Sequence, residues 1–158
     1  MVPVTKRLQD EIQQTRPFRS LEEEVTLGLA RTADALGRST EDVLKGSGLT
    51  HTQYNVLRIL RGAGAVGLSC GDVAGRMITR DPDLTRLLDR LETRSLVTRE
   101  RDGGDRRVVT TRITEAGLAV LKELDEPVQA RHKKNLGHLG EDKLRMLARL
   151  LDEARSGT

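Results

Sequence analysis

Two groups of residues in this chain have types and spacing that could do chemistry, and in both the chemistry is recognition by arginine. The first lies between Pro82 and about Arg94. Leu84, Leu87, Leu88 and Leu91 stand there at i, i+3, i+4 and i+7, the apolar stripe of a helix. At about 100° per residue, the opposite face carries Arg86, Asp89 and Thr93, flanked by Thr85 and Arg90. A guanidinium forks onto phosphate oxygens and guanine edges, so a helix with a leucine back and an Arg/Thr outer face suits a nucleic-acid groove. Taken alone, the helix suits a solvated surface equally well. The second group follows at once. Arg101, Arg106 and Arg107 flank the turn signal Asp102-Gly103-Gly104-Asp105.

The surrounding elements must hold these groups in place. Ser69 and Asp72 form a capping box, with Leu68 and Val73 as its hydrophobic staple, and open a short helix ending near Met77. Asp81 as N-cap and Pro82 as first helical residue then open the leucine-striped helix. Two short helices with a tight connection, the second basic on its outside, form a helix-turn-helix. After Ser95 the period changes to that of strands. Residues 97–101 and 107–113 are rich in Val, Thr and Arg and read as a hairpin, a wing whose tip carries the second arginine group. A narrow minor groove would attract such a tip.

The flanks are helical. Residues 4–14 suit a short helix on Val4, Leu8 and Ile12, ended by Pro17. Ser20 and Glu23 form a capping box for a long helix to about Lys45, with Leu21, Val25, Leu29, Ala33 and Leu36 on one side, stopped at Gly46-Ser47-Gly48. Thr50 and Gln53 form another, with Leu49 and Tyr54 as staple, for a helix ending at Arg61-Gly62. Thr114 caps a helix carrying Leu118, Leu121 and Leu124 that continues past Pro127 with a kink. Gly137 and Gly140 break it, and a last helix over 141–155 bears Leu144, Leu147, Leu151 and Ala154. Stripes of this kind at both chain ends call for a partner, expected to be a second copy. The fold class is therefore mainly α with a small β wing. A winged helix-turn-helix lobe at about 50–114 is flanked by dimerisation helices at 1–49 and 115–158, all in one domain.

Charge agrees with this placement. The net charge is +3, and residues 61–112 hold 11 Arg, no Lys and 8 acidic residues, so the whole excess sits around the two arginine groups. Aromatics make up 1% of the chain, which removes the stacking platforms that single-stranded nucleic acid needs. Gly62-Ala63-Gly64-Ala65-Val66-Gly67 matches G-x-G-x-x-G but follows a helix, whereas a dinucleotide loop must follow a strand. No nucleophile–base pair stands out, and no enzyme activity or cofactor is expected. Cys70 is the single cysteine, which precludes an intrachain disulfide and suggests a reducing compartment. MVPVTKR lacks the apolar core of a signal peptide, and no run reaches the roughly 20 apolar residues of a membrane span. The expected location is cytoplasmic.

Over about residues 20–155 the chain resembles the MarR family, the multiple-antibiotic-resistance regulators. The resemblance rests on LTHTQYNVLRIL at 49–60, DPDLTRLLDRLETRSLVTRERD at 81–102, DRR at 105–107 and RITEAG at 112–117. It implies a homodimeric transcription regulator, usually a repressor, on double-stranded, pseudo-palindromic promoter DNA. Carried over by position, Arg107 would be the wing arginine that enters the minor groove, held by Asp105 and assisted by Arg106. Pro82, Asp83, Thr85 and Arg86 would lie at the groove-facing start of the recognition helix; Asp89 and Arg90 on its outer face and Arg101 at the wing tip complete the candidate DNA-binding residues. The resemblance also implies a small phenolic or anionic effector bound between the dimer helices and the DNA-binding lobe, where His51 and Tyr54 are candidates. Peroxide-sensing members carry a cysteine in the first long helix, which here has none. Zinc-binding members use clustered ligands, whereas this chain has only His51, His132 and His138, so no metal is expected. The competing reading is a winged-helix protein-interaction module with no direct role on DNA.

Overall fold

Hydroxyl caps start most of the helices. The computed structural model describes residues 7–101 and 109–157, and the chain divides into two compact units, Met1–Ser39 and Thr40–Thr158. In the first unit, α1 (Leu8–Glu11) is shorter than the sequence suggests. Gln13 turns to φ 53° well before Pro17, so a left-handed residue rather than the proline ends the helical stretch. Arg31 of α2 (Leu21–Leu44) reaches Glu11 at 3.7 Å. The Glu23 amide donates to Ser20 Oγ (3.2 Å), while the Glu23 carboxylate accepts from the Arg19 amide (2.6 Å), one residue further back than a simple capping box. Leu21, Val25 and Leu29 remain exposed.

The second unit takes in the end of α2, where Thr40 and Leu44 are buried, a 3-10 turn at Lys45–Ser47 and Gly48 at φ 65°. Next comes α3 (His51–Ala63), with Thr50 and Gln53 bonded reciprocally at 3.1 Å each. Leu49 and Tyr54 both join the core, as a staple requires. The chain continues through β1 (Leu68–Ser69), α4 (Cys70–Arg76), α5 (Leu84–Thr93), β2 (Val97–Arg101), β3 (Val109–Ile113), α6 (Glu115–Leu136) and α7 (Glu141–Ser156). The three strands form one antiparallel sheet in the order β1-β3-β2. Leu57, Leu60, Val73, Leu88, Leu91, Val97 and Leu121 fill the centre between these helices and the sheet. Helix α6 runs through Pro127 as one element and buries Leu121, Leu124 and Val128, whereas no residue of α7 is buried.

Besides α1, two elements differ from the sequence reading. Leu68–Ser69 serves as helix cap and as a third strand at once, pairing Leu68 with Thr111 and Ser69 with Thr110. A strand of two residues has no period to read. Helix α5 begins at Leu84 rather than Pro82. Asp81 Oδ1 does accept from a backbone amide two residues on, that of Asp83 (2.8 Å), but Asp83 sits at φ −122°, ψ 41°, so Asp81-Pro82-Asp83 is a turn ahead of the helix.

Two glycines, Gly67 and Gly117, have packing roles. Gly67 is at φ 72°, and a Cβ there would lie 2.7 Å from the Thr111 carbonyl oxygen, where β1 meets β3. Gly117, in the first turn of α6, lets that helix approach the end of the sheet. A Cβ would fall 2.4 Å from the Leu96 carbonyl oxygen and 2.7 Å from Ile113 Cγ1. Gly117→Ala gains about 1 kcal/mol of helix propensity, but the forced displacement of backbone costs about 1–3 kcal/mol. Net destabilisation is expected in urea unfolding, and an unchanged or raised midpoint would refute the packing role.

Candidate nucleic-acid interface

Helix α5 is buried on one side and bare on the other. Leu84, Leu87, Leu88 and Leu91 are buried, while Thr85, Arg86, Asp89 and Arg90 are exposed. Its first turn follows the exposed Pro82 and Asp83, so Arg86 stands among solvent-exposed residues at that end of the helix. Arg86 Nε lies 3.4 Å from Asp83 Oδ2, an exposed pair that holds the guanidinium loosely. Thr50, Thr52 and Gln53 at the start of α3 face Asp81, Asp83, Arg86 and Arg90 across a cleft of about 270 Å³. Arg76 and Arg80 are exposed on the segment leading to it. Together these side chains present a basic, donor-rich surface around the start of α5. This is the arrangement by which a helix enters a major groove with cations over the flanking phosphates.

The sheet is tied to α5 by Arg99, which the sequence reading did not single out. Its guanidinium is bonded to Asp89 Oδ1 and lies 3.8 Å from Glu92 Oε2. Asp89 is thus committed to holding the wing strand against the helix. A signal for this exists in the sequence: Val97 points inward, so Arg99 two residues on shares its face, and Asp89 and Glu92 stand one helical turn apart on α5. On the opposite face Arg112 bonds Glu100 at 3.0 Å and the Ala65 carbonyl at 2.9 Å. Arg101, the last residue of β2, is exposed. Asp105, Arg106 and Arg107 lie outside the described residues.

The two residues suggested for an effector are positioned differently from each other. His51 is half-buried at the first position of α3, whereas Tyr54 is only 5% exposed and belongs to the core. Arg58 Cζ lies 5.9 Å from the centroid of the Tyr54 ring, and on the neighbouring turn Arg61 makes a two-pronged bond to Asp125 of α6 at 2.9 and 3.0 Å. Burial pushes the Tyr54 phenol above its ordinary value of 10.0, with Arg58 and Arg61 opposing and Asp125 adding to the shift. A raised pKa means that the fold keeps this contribution at neutral pH and loses it as the pH climbs through the tyrosine range. Tyr54 is the only tyrosine and the chain has no tryptophan. Its ultraviolet titration in the folded protein is therefore expected to have a single midpoint above that of the unfolded chain, and coincident midpoints would refute the burial effect. Cys70 opens α4 and packs partly against the core. Among the described residues no group of three His, Cys, Asp or Glu could hold a metal ion, and no helix is long and apolar enough to cross a membrane.

Comparison with known proteins places this arrangement in a wider context. The MarR family matches residues 49–109, from the start of α3 to the start of β3. The chain is 43% identical to a MarR transcription factor from Planctomyces limnophilus whose crystal structure covers 86% of this chain and is itself covered over 98%, with a TM-score of 0.67. It is 29% identical to the HTH-type transcriptional regulator FarR of Neisseria gonorrhoeae, over 87% of this chain and 92% of that protein. It is also 29% identical to NadR, solved in complex with 4-hydroxyphenylacetate, over 88% and 97% of the two chains, with a TM-score of 0.70.

Proposed function

Because the chain belongs to the MarR family, we propose that it is a DNA-binding transcription regulator, a homodimeric repressor that reads a pseudo-palindromic operator. The observation that carries this reading is α5, whose leucine face is buried while Thr85, Arg86 and Arg90 project from a lobe where the net positive charge of the chain is concentrated. Arg86 and Arg90 read base edges, with Pro82, Asp83 and Thr85 at the groove floor. Asp89 acts through Arg99, and Arg101, Arg106 and Arg107 place cations along the minor groove from the wing, with Asp105 orienting Arg107. The dimer is supported by α7, an apolar-striped helix with no buried residue, on which Met146 and Leu150 are 54% and 55% exposed.

Selection of bound fragments from genomic DNA tests the reading. The expected product is a sequence of two half-sites centred about one helical turn, roughly 34 Å, apart. Recovery of a random pool would sink it, and DNA retained only through a second protein would favour an interaction module. NadR, solved with 4-hydroxyphenylacetate, supports control by a small aromatic acid that favours a dimer geometry unfit for the operator. Operator titrations repeated with a panel of such acids should show weakened binding for at least one of them, and a flat panel would count against effector control.

A further inference from the structure

The C-terminal end of α5 is fastened more tightly than a surface turn requires. Arg94, the residue after the helix, donates from Nη1 to the Gly48 carbonyl (2.9 Å) and from Nη2 to the Ser47 carbonyl (2.8 Å), in the turn that follows α2. Both carbonyls belong to the end of a helical segment, where the backbone dipole favours a cation. The next residue, Ser95, is held at φ 57°, a left-handed conformation in a residue that is not glycine. Its amide donates to the Glu92 carbonyl (2.8 Å), and its own carbonyl accepts from Thr114 Oγ1 (2.7 Å). The Thr114 amide donates to the Leu96 carbonyl (3.1 Å), which Gly117 approaches from α6. A strained corner persists when its surroundings over-determine it, and here two separate segments do so: the turn after α2 and the start of α6.

We propose that Arg94 is a positioning residue that fixes the tilt of α5 on its lobe and thereby the spacing at which two copies of the chain read an operator. A direct role on DNA fits poorly. Arg94 lies eight residues, about 12 Å along the helix axis, beyond Arg86, and both arms of its guanidinium, unlike that of Arg90 one turn before it, are spent on carbonyls. The α5 corner is bonded through Thr114 to the start of α6, and the far end of α6 leads into α7, the helix with the uncovered apolar face. A loosened corner would let each recognition helix adjust alone and blunt the preference for one half-site separation.

The inference rests on the dimeric regulator reading, and its test separates the two. Wild type, Arg94→Ala and Arg94→Lys are titrated on the selected operator and on one with a base pair inserted between half-sites, which rotates them by about 35°. Wild type should prefer the native spacing. Arg94→Ala should lose about threefold to tenfold on the native operator and less on the spaced one, narrowing the preference. Arg94→Lys, whose single ammonium cannot span both carbonyls, should fall between them. The salt dependence should be the same for all three, because no phosphate contact is removed. Equal losses on both operators, no loss on either, or a salt slope reduced by about one would overturn the proposal. A wild type indifferent to spacing would overturn the dimeric reading as well. Thermal melts run alongside, and if Arg94→Ala does not fold, Arg94→Lys carries the comparison.

Discussion

Leu150→Glu is expected to turn the proposed dimer into a monomer and to cut operator affinity by a hundredfold or more. Helix α7 carries Leu144, Leu147, Leu151, Met146 and Leu150 along 16 residues, yet none of its residues is buried within the protomer. Leu144, Leu147 and Leu151 are half-buried, while Met146 and Leu150 are more than half exposed, and apolar side chains stay in water only at a cost. A glutamate at position 150 would have to be desolvated in an interface between copies, which opposes association strongly. Without the partner, each half-site is bound alone and the effective concentration from linkage, typically worth about 10²–10⁴ in affinity, disappears. Sedimentation velocity reads the assembly state and fluorescence anisotropy the affinity. A variant that stays dimeric and keeps its operator affinity would remove α7 from the interface. Because the position contributes nothing to the protomer core, helix content by circular dichroism is expected to be retained.

The second large effect separates Arg86 from Arg107. Arg86 is exposed in the first turn of α5, where its contact to Asp83 at 3.4 Å is itself exposed, so little is lost when it turns to a base. If it forks onto a guanine edge, Arg86→Ala removes about 1–3 kcal/mol and with it the preference at that base pair. That corresponds to roughly 5- to 150-fold on the native operator and much less on an operator already changed there. Arg107 should behave differently. Its replacement by alanine weakens binding on all sequences alike and lowers the slope of log affinity against log salt by about one, as a cation leaving the phosphate field does. Titrations of both variants against matched and substituted operators at several salt concentrations give the pattern. Unchanged affinity in both would refute the site, and the same signature in both would refute the division between base reading and charge.

Local chemistry made much of the fold legible before any coordinates. The Thr50–Gln53 and Ser69–Asp72 boxes form as written, because a cap needs only residues three apart. The leucine stripe of α5 is buried residue for residue, since a period of 3.6 is a property of the segment itself. The hairpin strand Val97–Arg101 also matches its reading, because β-branched alternation is local too. The sequence signal places the start of α5 two residues early. Asp81 and Pro82 fit a helix start and a turn equally well, and only the backbone at Asp83 distinguishes them.

What the linear chain could not express are contacts between segments. Asp89 reads as one of several groove-facing polar residues until the sheet brings Arg99 onto it. Arg94 looks like a generic helix-end cation until the turn at Ser47 and Gly48, nearly fifty residues earlier in the chain, presents two carbonyls. Gly117 belongs to a recognisable stretch, but its reason is the Leu96 carbonyl oxygen 2.4 Å from where a Cβ would be. By itself, then, the sequence of this protein determined which segments are helices and strands, which face of each is apolar, and where the arginines concentrate, because caps, periods and composition act over a few residues. The tertiary structure alone decided which charged side chains remain available to a ligand and which are consumed in holding α5, because only folding brings a distant carboxylate or carbonyl within bonding distance of a guanidinium.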